Sequence, residues 1–169
     1  LPKLLRGPWY FASALRWYAI AALLLVLDLL SKAWAVEAFD YAVPVRVTGF
    51  FDWLLLFNYG AAFSFLSDQP GWQKWFFAII AGSVSVGLSL WLAKLKPHVR
   101  WESVALALIL SGALGNLYDR LTLGYVVDFI SLHYQGHRWP SFNIADSAIC
   151  VGAFMLLVDM FRKPNSEQD

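Results

Sequence analysis

Asp128 and Asp146 are carboxylates in places where carboxylates are expensive. Asp128 lies in the apolar run Tyr125-Val126-Val127-Asp128-Phe129-Ile130. Asp146 lies in Phe142-Asn143-Ile144-Ala145-Asp146-Ser147, at the mouth of a hydrophobic segment that ends near Phe161. An ionisable group beside or inside lipid needs a partner or a function. Two carboxylates brought together in a poorly hydrated site share one proton, because both cannot ionise cheaply side by side. One then serves as base toward an attacking water and the other as acid, which is the chemistry of an aspartic protease.

Other polar residues have spacings that gather them. Asp28 and Lys32 are one helical turn apart, within reach of each other. Asn116 and Asp119 share a helix face at i, i+3, with Arg120 next to them, and Asn143 and Asp146 repeat that spacing. Read singly, each has a structural explanation. Asp28–Lys32 is an intrahelical ion pair, Asp119–Arg120 an interfacial anchor pair, and the two asparagines are hydrogen-bond bridges between helices. Asp128 is a turn residue, and Asp146 a carboxylate favoured by a helix N-terminus. Read together, they require five such coincidences at one depth.

The elements that hold these residues are membrane spans. The chain is 59% hydrophobic and only 15% charged, against about 25% charged in soluble domains. Four stretches, 15–36, 72–93, 103–118 and 142–161, approach the ~20 residues needed to cross a bilayer, the third being short enough to need an extra turn at one end. Lys3, Arg6 and Arg16 precede the first, Lys94, Lys96 and Arg100 separate the second from the third, and Arg162 and Lys163 follow the fourth. By the positive-inside rule these regions are cytoplasmic, and residues 37–71 and 119–141 lie outside, with both termini cytoplasmic. At about 1.5 Å per residue, Asp28 then stands roughly 20 Å above the start of its helix, near the outer interface. The ends of spans three and four place Asn116, Asp119, Asn143 and Asp146 at the same level. Asp28 and Lys32 also interrupt the first apolar stretch, which is too long for a cleaved signal peptide.

In the first outer segment, Val43, Val45 and Val47 alternate with Pro44, Arg46 and Thr48, the period of a strand, and Phe50 to Phe57 reads as a second strand after Gly49. Pro44 marks an edge. Residues 61–66 suit a short interfacial helix, followed by a cap at Ser67 or Asp68 with Pro70 in the first turn of span two. The tail from Lys163 to Asp169 is polar and reads as disordered. Ser83 and Gly87, Ser111 and Gly115, and Ala148 and Gly152 suit close helix packing. Cys150, the single cysteine, reads as a small buried residue and excludes an internal disulfide. His133 and His137 are four apart but lie in a glycine-containing loop near Pro140; a zinc site needs a third ligand and an open position, Asp128 is the only nearby candidate, and no metal is expected. A proton-coupled transporter and a membrane scaffold are the competing classes. The absence of an internal repeat counts against the first, and a scaffold needs no paired aspartates.

The motifs Asp28-x-x-Ser31-Lys32, Asn58-Tyr59-Gly60-Ala61-Ala62-Phe63-Ser64, Gly112 to Arg120, Val127-Asp128-Phe129 and Phe142 to Ser147, in that order along nearly the whole chain, resemble the bacterial lipoprotein signal peptidases, signal peptidase II. The resemblance implies an α-helical membrane protein of one integral domain. Four transmembrane helices would carry a small periplasmic β-cradle and a short interfacial periplasmic helix. It implies an aspartyl endopeptidase of the bacterial inner membrane, working at its periplasmic face. Such an enzyme removes the signal peptide of lipid-modified prolipoproteins just before the diacylglyceryl cysteine. By motif position the catalytic pair falls on Asp128 and Asp146, and the supporting residues on Asp28, Lys32, Asn58, Gly60, Asn116, Asp119, Arg120, Asn143 and Ala145. The implied partners are prolipoprotein signal peptides and membrane lipids, with no cofactor, no nucleic acid and a monomeric state. Leu29 stands where Gln usually follows the first aspartate, and Ser111 where a glycine often precedes Gly112.

The charge placement makes a topological prediction. Cysteine introduced at Ser67 should react with an impermeant thiol reagent in intact spheroplasts, and cysteine at Lys96 should not; the opposite pattern overturns the orientation.

Overall fold

The computed structural model describes residues 10–60 and 72–162. The interfacial helix expected over 61–66, the cap at Ser67 or Asp68, Pro70 and the tail from Lys163 lie outside these residues. Among the described residues four helices are long and apolar enough to cross a membrane: α1 (Phe11–Ala38), α2 (Trp72–Lys94), α3 (Arg100–Thr122) and α4 (Ile144–Arg162). Each runs beyond the bare apolar stretch at one end or both, although α4 starts two residues later than expected. The extension of α3 past residue 118 is the consequential one. It carries Asp119 and Arg120 on the helix instead of in the following connection.

At one end of the bundle the Tyr10 N–H donates to the Ala93 carbonyl at 2.8 Å, and Arg16 Nη2 donates to the Pro97 carbonyl at 2.9 Å. The basic segments 10–16 and 94–100 therefore share one end, as the charge pattern requires. The polar residues of the candidate site gather at the other.

The central helix is α3, with 56% of its apolar window buried, against 11% for α4. Its mean hydropathy of 1.2 is also below the 1.9–2.0 of the other three. A helix that faces protein on several sides does not need lipid-compatible residues all round. Its buried residues are mostly small, among them Ser103, Ala105, Ala107, Ser111, Gly112, Ala113 and Gly115, so its neighbours approach closely. A Cβ on Gly152 of α4 would lie 2.6 Å from the Ala105 carbonyl oxygen, and one on Gly112 would collide with the Ala145 carbonyl. Of the small-residue pairs, Ser83–Gly87 does not form such a seam: a Cβ on Gly87 would meet nothing within 4 Å among the described residues. Ser111 fits its buried place by donating to the Leu108 carbonyl at 2.8 Å. Cys150 is exposed on α4, on the side turned away from the bundle, contrary to the buried position its apolar surroundings suggested. In a membrane helix the apolar side chains are as well placed outside as in.

A four-stranded antiparallel sheet, ordered β1-β2-β3-β4, lies at the site end. It comprises β1 (Val45–Arg46), β2 (Phe51–Asn58), β3 (Val126–Tyr134) and β4 (His137–Arg138). The first strand is shorter than the alternation over 43–48 suggests. Pro44 has no N–H to give to a ladder, and Val47 and Thr48 already turn back, both donating to the Phe51 carbonyl at 3.1 and 3.0 Å. Strand β3 is the element the sequence conceals, because its apolar run lacks a clear period. It pairs with β2 through Phe51↔Leu132, Asp52↔Ser131 and Leu56↔Asp128, with an irregularity between Trp53 and Leu56. Gln135 and Gly136 both have positive φ, 48° and 83°, the two-residue hairpin turn whose twist matches that of the flanking strands. Arg138 ties the far end together, with Nη2 to Asp52 Oδ2 at 2.7 Å and Nη1 to Ser131 Oγ at 2.5 Å. The hydrogen bond from Arg138 Nη2 holds the Asp52 carboxyl below its ordinary range.

Candidate active site

Asn143 is the N-cap of α4, and Asp146 is the third residue of the helix. The Asp146 N–H donates to Asn143 Oδ1 at 2.9 Å, and the Asn143 N–H donates to Asp146 Oδ2 at 3.2 Å. This reciprocal arrangement is a capping box, which satisfies two helix-end donors at once. The same asparagine has an NH2 group to spare. Its Nδ2 donates to Asp128 Oδ1 at 2.8 Å, to the Val127 carbonyl at 3.2 Å and toward Asn116 Oδ1 at 3.3 Å. One wholly buried side chain thus bridges the two aspartates the sequence singled out.

The other oxygens are also held. Asn58, at the end of β2, donates from Nδ2 to Asp128 Oδ2 at 3.1 Å, while its Oδ1 accepts the Gly60 N–H at 2.9 Å. Gly60 has φ of 105°, and a Cβ there would lie 2.6 Å from the Phe77 ring, so both backbone and space require glycine. Asn116 donates from Nδ2 to Asp146 Oδ1 at 2.8 Å. Its orientation is not free. Lys32 Nζ, which can only donate, lies 3.0 Å from Asn116 Oδ1, and this sends the NH2 group to Asp146.

Lys32 also pairs with Asp28 at 2.8 Å and with Asp119 at 3.0 Å. Each of these carboxylates grips the backbone just before one aspartate of the candidate dyad. Asp28 Oδ1 accepts the Ala145 N–H at 2.8 Å, next to Asp146. Asp119 Oδ2 accepts the Val127 N–H at 3.1 Å, next to Asp128. Lys32, only 3% exposed, therefore holds both arms of one clamp.

Two sequence readings need correction here. Asp28–Lys32 is not a self-contained intrahelical pair, because Asp119 is a third member 3.0 Å away. Asp119 and Arg120 are not an anchor pair. Adjacent helical residues point in different directions, and Arg120 Nη1 donates to the Asn116 carbonyl at 3.2 Å, with its guanidinium 5.4 Å from the Phe77 ring centroid. Its charge acts on Asp146 first and then on Asp128 and Asp119. His133 and His137 occupy separate strands; His133 Nε2 sits 3.1 Å from Asp52 Oδ1. The contribution of Val127 was invisible in the sequence, since it works through a backbone N–H that any residue but proline supplies.

Asp128 is buried, whereas Asp146 is half-buried, so the pair opens on the Asp146 side. Burial chiefly, and then the charge of Asp146, push the Asp128 carboxyl up to about 7; hydrogen bonds from Asn58 and Asn143 oppose this. Burial and a neighbouring carboxylate both disfavour the ionised form of Asp128.

Comparison with known proteins decides the family. A family model described as Signal peptidase (SPase) II matches residues 20–162. The chain belongs to the signal peptidase II family. A relative named lipoprotein signal peptidase from Teredinibacter turnerae is 54% identical over 148 residues, covering 87% of this chain and 88% of the relative. Another of that name from Pseudomonas aeruginosa is 54% identical over 155 residues, covering 90% and 91%. A bacterial membrane enzyme solved by the in meso method at 2.3 Å superposes with a TM-score of 0.78 at 26% identity, covering 96% of each chain. Membership of the signal peptidase II family makes this a multi-pass membrane protease, and the clamp around Asp128 and Asp146 lies within the matched residues.

The clamp predicts a hierarchy of charge removal. Lys32→Met strands two buried carboxylates and should cost about 3–5 kcal/mol. The Asp28→Asn/Lys32→Met double variant should stay poorly folded because Asp119 is still unpaired, and adding Asp119→Asn should restore folded yield. Thermal melting in detergent reads this series; full recovery in the double variant would remove Asp119 from the clamp.

Proposed function

We propose that this chain is a membrane aspartyl endopeptidase that removes the signal peptide of diacylglyceryl-modified prolipoproteins, cutting just before the lipidated cysteine. The observation that carries this reading is Asn143, which donates to Asp128 while forming a capping box with Asp146. It ties two carboxyls from separate elements into one unit that opens at the end of four spans. The enzyme works as a single integral membrane domain of the bacterial inner membrane, as a monomer among lipids. Both termini are cytoplasmic, with residues 37–71 and 119–141 on the periplasmic side.

Asp128, favoured in its neutral form by burial, hydrogen-bonds the scissile carbonyl and gives it a proton. Asp146 receives donors from Asn116 and Asn143 and takes a proton from water, whose oxygen bonds to the carbonyl carbon. The resulting diol returns one hydroxyl proton to Asp128. Asp146 passes its proton to the amide nitrogen, the C–N bond breaks, and the pair again holds one proton. A transmembrane signal peptide must unwind locally for this attack, since a helix engages its own carbonyls. The acyl chains of the cysteine stay in the outer leaflet, which is why a site at the interface suits this substrate. Asn58, at the end of β2, borders Asp128, and Gly60 just beyond it holds the Asn58 amide; both help to frame the peptide.

Asp128→Asn and Asp146→Asn should each cut turnover by several orders of magnitude while the protein still folds. The double variant should be little worse, because groups acting as a unit are non-additive. A gel-shift assay of prolipoprotein cleavage tests this, and a near wild-type rate in either single variant excludes the aspartyl mechanism.

The proton on the pair sets the pH dependence. Its loss as pH rises through about 7 should make kcat/KM fall on the alkaline side, with apparent values belonging to the pair. A profile measured in detergent that still climbs above about pH 8 contradicts the shared proton.

A further inference from the structure

Gly115 precedes Asn116 in the interior of α3. Its backbone is helical, where glycine is a poor choice, so no turn or positive φ explains it. The explanation is spatial. A Cβ at this position would collide with Asp28 Oδ2, approach Asp28 Cγ to 3.3 Å and meet Ala145 Cβ at 3.5 Å. The Asp28 carboxylate occupies the volume that any other side chain at 115 would fill. From there its Oδ1 accepts the Ala145 N–H at 2.8 Å, and Lys32 neutralises it at 2.8 Å.

We propose that Gly115 is a positioning residue: its missing side chain is the seat of the Asp28 carboxylate, through which α1 fixes the first turn of α4 and hence Asp146. The proposal rests on the reading of Asp146 as a member of the catalytic pair. It differs from simple helix packing, for which Gly112 is the example. At Gly112 a Cβ would meet the Ala145 carbonyl and Ile149, which are parts of α4 itself. At Gly115 the obstructed atoms belong to a charged group of a third helix. Any Cβ there must push the carboxylate off the Ala145 N–H, which loosens a donor of α4 and shifts the base that follows it in the chain.

The test uses the full chain in detergent, with cleavage of a lipidated prolipoprotein peptide and thermal unfolding read in parallel. The variants are Gly115→Ala, Asp28→Ala and the double. Gly82→Ala and Gly87→Ala are controls, because a Cβ at 82 lies 4.0 Å from Leu117 and one at 87 meets nothing within 4 Å among the described residues. Gly115→Ala should lower kcat by about 100-fold with KM little changed, the effect of a misplaced reacting group. In the Asp28→Ala background the same substitution should lower neither kcat nor melting temperature, because the obstructed group is gone and alanine suits a helix better than glycine. Near wild-type turnover in Gly115→Ala overturns the proposal, as does an equal fold loss in both backgrounds. If Gly115→Ala fails to fold, Asp28→Ala should suppress the defect, and a double variant that still fails overturns the proposal. The unfolding arm needs no turnover, so it separates failure of this inference from failure of the aspartyl mechanism.

Discussion

An ammonium taken out of water must have each of its three N–H groups answered, and at Lys32 they are answered by Asp28, Asp119 and Asn116. That constraint organises the site. Each partner passes the fixation one bond further: Asp28 to the backbone before Asp146, Asp119 to the backbone before Asp128, and Asn116 to Asp146 itself. The two carboxyls proposed to do the chemistry therefore never meet the lysine directly. Burial and the charge of Asp146 therefore outweigh the distant pull of Lys32, and the Asp128 carboxyl is pushed up to about 7. A lysine in direct contact would favour the ionised form and defeat the sharing of a proton.

Such a hub demands that several elements converge within hydrogen-bond distance, and the scaffold is built for that. Helix α3 supplies small residues on the sides it buries, so that α1 and α4 close on it. The sheet does the complementary task from outside the helices. Its β2–β3 pairing sets Leu56 against Asp128, so Asn58 reaches the second carboxyl oxygen, and the Phe142 carbonyl accepts from Ile130 at 2.9 Å, which fixes the approach to Asn143. The chain enters α4 already registered against the strand that carries Asp128.

Much of this was legible before any coordinates. The two aspartates, the i, i+3 spacing of Asn116 with Asp119 and of Asn143 with Asp146, and the depth of Asp28 sufficed to gather the site, because polar residues in apolar segments must find one another. What stayed hidden depends on direction rather than spacing. Asp119 and Arg120 look paired in a linear reading, yet α3 continues through them and turns them apart. Strand β3 is apolar on both faces near Asp128, so it has no period to read. Cys150 and the lipid-facing residues around it follow no inside-outside rule, because the surroundings are as apolar as the core. Gly115 looked like one half of a packing pair; only the position of a carboxylate from another helix reveals its use.

The bond from Asp28 to Ala145 joins residues 117 positions apart, and this has a consequence for how the protein is made. Segments enter the membrane in the order of synthesis, so α1 arrives with its aspartate and lysine long before α4 exists. Until then Asp28 has lysine as company and no backbone donor from α4. Asp119 arrives with the third helix, whereas Val127 and Asn143 follow it. Among the described helices α4 comes last in the chain, and it is the one that completes the arrangement. The proposed catalytic pair is therefore complete only once α4 has joined the other three helices.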